Sequence, residues 1–197
     1  MTRYATSRFV FSNASEPRLT AILPLTDFES VDIERLLDLA FGTDRHGRTA
    51  YRLRQGQSWI PAMSAGMRDM TGNLVGVIQS WPVSLRSPDG SMTPLVLVGP
   101  VAVAPDYQGA GLGKAMMQHV LDIGDRSAEY RCTMMIGDPE YYGRFFGYDA
   151  APTQLWGIDG PVERHRLLAR APQGASLPAI GDIVPGWHGL AETGYAA

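Results

Sequence analysis

The chain has 197 residues, with 17 basic and 20 acidic side chains and a formal net charge of −3. At 45% hydrophobic and 19% charged residues it can build one substantial core, which excludes a disordered chain or a coiled coil. No apolar run reaches the roughly 20 residues of a membrane span, and the mild negative charge argues against bulk nucleic-acid binding.

Residues 1–18 read as a polar N-terminal arm without the continuous apolar core of a signal peptide. The single cysteine, Cys132, can form neither an internal disulfide nor a thiolate metal cluster, which suits a reducing cytoplasm. Residues 19–170 read as one domain. It opens with a short strand at 19–23; Asp27 then caps a predicted helix over 28–41, with Ile33, Leu36, Leu37, Ala40 and Phe41 at helical spacing. The polar stretch 42–56 predicts a loop with a short second helix. Two strands, 59–68 and 74–85, flank a hairpin turn at 69–73.

The run LVLVGPVAV (95–103) is apolar on both parities, as a central strand buried on both faces requires. Pro100 cannot donate to a ladder, so a bulge or a local parting of the sheet is expected at Gly99-Pro100. A helix follows, with Leu112, Met116, Val120 and Ile123 on one face and an end near Gly124. Then come a second buried strand (131–136), an aromatic helical segment (140–146) ended by Gly147, and closing strands at 154–158 and 164–170. Residues 171–197, rich in Pro and Gly, read as a loosely structured C-terminal extension whose Ile180, Ile183, Val184 and Trp187 could pack back on the body or join a partner subunit. The order β-α-α-β-β-β-α-β-α-β-β describes an α+β domain with a mixed sheet.

The chemistry concentrates between Val101 and Tyr148. Between a buried strand and a helix stands Gln108-Gly109-Ala110-Gly111-Leu112-Gly113. Glycines let a backbone turn tightly and approach a ligand closely. The unpaired N–H groups of the turn and of the first helical residues then make an anion site, suited to a phosphate or pyrophosphate. A P-loop needs a glycine five residues before the Gly-Lys pair and a hydroxyl after it; Gln108 and Ala115 occupy those places. A dinucleotide fingerprint needs glycine at position 114 and an early strand-turn-helix start; here Lys114 follows an antiparallel meander.

Val-x-Val-x-Pro-x-x-Gln-x-x-Gly-x-Gly resembles the coenzyme A signature of the GNAT superfamily of N-acetyltransferases. The segments MIGDPEYYGRFFGY and GPVERHRLLA resemble its YhbS-like branch. The resemblance implies a GNAT fold: a mixed central sheet that parts between its two central parallel strands, flanked by helices. Pantetheine would run down that wedge, paired with the backbone of Val101, Ala102 and Val103. The N–H groups of Gln108, Gly109, Ala110, Gly111, Leu112 and Gly113 would hold the pyrophosphate, with Lys114 beside it. Val101 would supply the N–H that stabilises the thioester oxyanion.

The implied reaction is direct attack of an amine, on a small molecule or a protein, upon acetyl-CoA in a ternary complex, with no metal. A phenol on the aromatic helix would protonate the leaving thiolate. Tyr142 is preferred over Tyr141, although one extra residue separates it from the following glycine compared with the family pattern. For a general base the strand offers no acid; Asp138, Glu140, His46 or a water chain are candidates, with Asp138 equally able to cap the next helix. Arg45, His46 and Arg48, with Arg52 and Arg54, border the expected acceptor pocket and suit a carboxylate or phosphate; a solvated cationic face is the alternative. A non-catalytic acyl-CoA sensor with the same fold is the competing function, and the chain could act as a monomer or a homodimer.

Overall fold

The structure, a computed structural model, describes residues 21–187. Its elements are β1 (Ile22–Pro24), α1 (Ser30–Phe41), α2 (Thr49–Arg52), β2 (Ala65–Arg68), β3 (Leu74–Arg86), β4 (Met92–Val103), α3 (Leu112–Asp125), β5 (Thr133–Ile136), α4 (Pro139–Phe146), β6 (Leu155–Gly157), β7 (Leu167–Arg170) and β8 (Ile180–Pro185). The strands form one mixed sheet in the order β1-β2-β3-β4-β5-β7, with β8 pairing β3 and β6. The β4–β5 and β6–β8 pairs are parallel and the rest antiparallel.

The long β3–β4 hairpin is the spine. Between Ile78↔Val101 and Ser80↔Val98 the register slips, so Gly99-Pro100 forms the expected bulge. A bulge exchanges the two side-chain parities, and the strand reads apolar throughout because both of its faces are covered. Val96 and Val98 before it, and Val101 and Val103 after it, face the α3 layer. Leu95 and Leu97, and then Ala102, face the opposite layer. On the first face α3 buries Leu112, Met116, Met117, Val120 and Leu121. On the other, α1 buries Ile33, Leu36 and Leu37 against Leu25, Val77 and Ala102.

Several boundaries differ from expectation. Helix α1 starts at Ser30 with no side-chain cap, and Asp27 belongs to a separate 3-10 turn, Leu25–Asp27. Between them Phe28 is extended, its ring lying against Gly66 with the Arg68 guanidinium 4.6 Å above it. That tertiary contact outweighs the local preference for a cap. Pro61 opens a 3-10 turn, so β2 is confined to Ala65–Arg68. The tail expected to be loosely structured instead supplies β8, antiparallel to β3 through Val83↔Pro185 to Arg86↔Asp182. Its strand alternation, with Gly181 and Ile183 buried, is too short to stand out from the Pro- and Gly-rich surroundings. The arm at 1–18 and the first residues of the predicted strand, 19 and 20, lie outside the described residues, as do 188–197. No helix among the described residues is long and apolar enough to cross a membrane.

Candidate active site

β4 and β5 pair only at Val96↔Thr133 and Leu97↔Met134. Beyond that point each keeps its outer neighbour, β4 pairing β3 to Val103 and β5 pairing β7 to Ile136. The two central strands therefore part, and a wedge opens between them. The register determines which backbone groups face it. The Ala104 N–H donates to Val75 O at 2.9 Å, so alternation of the antiparallel ladder turns the Ala102 amide and carbonyl toward β3 and those of Val101 and Val103 toward the gap. Val101 and Val103 thus present a row of ladder groups that β5 no longer meets. Ala102, grouped with them on sequence, faces Val77 instead.

The wedge leads to the glycine turn. Pro105–Tyr107 is a single 3-10 turn, and Gly109 and Gly111 follow at φ +83° and +79°, a region that non-glycine residues adopt only with strain. No atom lies within 4 Å of where a Cβ would sit at either glycine, so their surface is open. Gln108, Gly109, Ala110 and Gly111 are exposed, and α3 starts at Leu112 with its first amides, to Lys114, pointing out of the helix end. Tyr107, unremarked in the sequence, pins this turn: its hydroxyl donates to Asp69 Oδ2 at 3.0 Å in the β2–β3 turn. The Thr71 side chain first, together with the Asn73 and Tyr107 hydrogen bonds, holds the Asp69 carboxyl well below the usual range. The acceptor of that tether is thus ionised throughout the neutral range.

Helix α4 forms the far wall. Its N-terminus is built as Pro139 at the first helical position after Asp138, whose Oδ1 accepts the Glu140 N–H at 2.9 Å. Asp138 therefore occupies the capping position weighed on sequence, and Glu140 is exposed beside it. Tyr142 lies inward and Tyr141 outward. The Tyr142 ring covers Gly137 at the end of β5 so closely that a Cβ there would lie 2.7 Å from it. Burial first, then the neighbouring Tyr141 and Asp138, pushes the Tyr142 phenol above its ordinary value. A phenol shifted this way stays protonated at neutral pH and is fit to donate.

The predicted acceptor cations separate into three fates. Arg45 is buried, bound to Glu34, to Asp38 Oδ1 at 2.7 Å and to the Tyr51 hydroxyl. Burial alone would lower its pKa, but those partners outweigh it and hold the group above its ordinary value. Its donors are engaged in joining α1 to the loop before α2. Arg48 is exposed, donating to Phe41 O at 2.9 Å and covering the Phe41 ring, and does not reach the pocket. His46 is exposed at the pocket rim, edge-on to Tyr51.

That pocket, about 440 Å³, lies on the α1 side of the sheet and includes Glu34, Tyr51, Arg54, Gln57, Gln79 and Trp81 in its walls. Gln79 falls in the stretch of β3 opposite the Gly99-Pro100 bulge, so the floor of the pocket adjoins the head of the wedge. Arg54, on the short segment after α2, is nine-tenths buried; its guanidinium stands 4.4 Å from the Tyr51 ring centre and 5.5 Å from that of Trp81. Burial pulls its pKa down to about 10, which still leaves a cation at neutral pH. No group of His, Cys, Asp or Glu among the described residues is placed to hold a metal ion.

This fold and wedge define a class, the GNAT acetyltransferases. The family profile described as "Acetyltransferase (GNAT) domain" matches residues 21–151, and the chain belongs to that family. Among solved structures it is similar to the Escherichia coli GNAT family N-acetyltransferase YhbS in complex with CoA, at 22% identity and a TM-score of 0.65, over 90% of this chain and 94% of that one. It is also similar to a GNAT family acetyltransferase of Brucella melitensis in complex with acetyl-CoA, at 22% identity and a TM-score of 0.56, over 88% and 98% of the two chains. No curated protein matches the chain.

Proposed function

We propose that the protein transfers the acetyl group of acetyl-CoA to a primary amine by direct attack within a ternary complex. One observation carries this reading: the backbone of Val101 and Val103 is turned into an open wedge that leads to an exposed, glycine-built helix N-terminus. Pantetheine in the wedge would complete the ladder that β5 leaves unfilled, and the amides from Gln108 to Lys114 would take the pyrophosphate. The Val101 N–H, next to the bulge, would stabilise the developing oxyanion.

In the reaction the neutral amine attacks the thioester carbonyl carbon, the C–N bond forms and the C–S bond breaks. The departing thiolate takes the Tyr142 proton, and the ammonium proton passes to water in the open pocket. The phenol is then reprotonated from solvent. Most of the catalysis is positioning and oxyanion stabilisation, with proton transfer worth a further ~10²–10⁴.

The test combines calorimetric binding of CoA with thiol release from acetyl-CoA across a panel of amines. Binding and amine-dependent release, both reduced in Gly111→Ala, support the proposal. Binding without release on any amine would assign the chain to an acyl-CoA sensor, and no CoA binding would overturn both readings.

A further inference from the structure

The pocket beside the wedge contains a buried cation whose hydrogen-bonding capacity is not used up. Arg54 Nε is buried and has no hydrogen-bond partner among the described residues, and the same holds for Trp81 Nε1. Leaving such a donor buried and unpaired is costly, more so for a charged group. Tyr51 favours the guanidinium through its ring and its hydroxyl and Glu34 favours it from nearby, but neither meets Nε, and Glu34 is bound to Arg45. Arg45 in turn is matched by Glu34 and Asp38, and Arg52 faces Asp159 at 3.4 Å.

Among the arginines in the pocket wall, Arg54 is thus the buried one without a carboxylate partner, and the Trp81 indole N–H stands in the same wall. A monoanion with two planar acceptor oxygens fits that pair, and a dianionic phosphate would want further cations.

We propose that Arg54, with Trp81 Nε1–H, binds a carboxylate on the acceptor, so that the acceptors are small amines carrying a carboxylate, amino acids among them. This rests on the acetyl-transfer reading for the role of the amine, but the anion site itself does not depend on turnover. The pocket volume of about 440 Å³ suits a molecule of that size. Gln79 in its wall lies opposite the Gly99-Pro100 bulge, so a ligand held at Arg54 would lie beside the head of the wedge. Arg45 takes no part because Glu34, Asp38 and Tyr51 engage its donors, and Arg48 does not line the pocket.

The experiment compares the common amino acids with their carboxamides as acceptors in thiol release, for wild type, Arg54→Met and Arg54→Lys. At least one amino acid is used tenfold or more better than its amide. Arg54→Met raises its KM at least tenfold with CoA affinity unchanged, and Arg54→Lys recovers part of the loss. Equal use of the amides, or an unchanged KM in Arg54→Met, overturns the proposal.

If no amine turns over, the corresponding N-acetylated amino acids are titrated calorimetrically into the CoA-saturated protein. Binding that disappears in Arg54→Met upholds the carboxylate site while the catalytic reading fails; no binding of any of them overturns the site. Far-ultraviolet dichroism and CoA affinity show that each variant is folded.

Discussion

Lys114 Nζ stands 4.1 Å from the centre of the Phe145 ring, and so joins the first turn of α3 to α4. Arg144 covers the same ring at 5.3 Å, which places two cations beside the glycine turn. Such an arrangement serves packing and charge together: the ring steadies the ammonium while the residue stays exposed.

Lys114 can therefore be separated into its two contributions. Lys114→Arg keeps a cation able to cover Phe145, and its CoA affinity should stay within about twofold of wild type. Lys114→Glu should weaken CoA binding by about tenfold at low salt, roughly 1.4 kcal/mol. The difference should shrink at high salt, because exposed charges are screened. Calorimetry at two ionic strengths measures both effects.

Tyr142, with its phenol raised by burial, should act as an acid through the whole neutral range. Tyr142→Phe should lower kcat by about 100-fold with CoA affinity retained. Tyr141, exposed on the outer side of α4, should tolerate Phe within about twofold. Because the shift is upward from about 10, wild-type kcat should show no falling limb from this group below that pH. Steady-state kinetics across pH 6–10 would reveal one if Tyr142 were ionising earlier.

Arg45 should matter for stability first. Arg45→Met removes a buried cation from Glu34, Asp38 and Tyr51. The two acids remain partly in water, so the loss should be about 1–3 kcal/mol, less than for a wholly buried pair. Urea unfolding measures it. The acceptor KM should move less than in Arg54→Met, which distinguishes a packing role from recognition.

Asp125 provides a pH signature. Its two carboxylate oxygens take the Arg170 guanidinium at 2.6 and 2.7 Å, and that pairing holds its pKa below the ordinary value. A depressed carboxyl contributes stability that is complete above its unfolded pKa, near 3.9, and is lost as pH falls through the folded value. The Asp125 side chain is 37% exposed, so solvent screening limits the contribution to about 1 kcal/mol. Asp125→Asn should cost that much at pH 7, and the difference from wild type should vanish in acid. Denaturation at several pH values follows it.

Local residues were enough to read the glycine turn, α3, α4 and the bulge. Gly109 and Gly111 occupy positive φ, Pro100 interrupts the ladder, and Gly147 ends α4 in the left-handed region, each through properties of its own backbone. The start of α1 and the strand β8 were not legible, because Phe28 and Ile183 are placed by partners on β2 and β3.

Contiguous residues, then, determined the family signature and its glycine turn, since backbone conformation is set within a few positions. The roles of the arginines were decided only by tertiary structure. Arg45 and Arg54 belong to one cationic stretch, yet Glu34 and Asp38 on α1 engage the first, while Trp81 on β3 covers the second without completing its hydrogen bonds. Whether a charge is neutralised or left for a ligand depends on which distant groups the fold brings within reach, and no pattern along the chain records that.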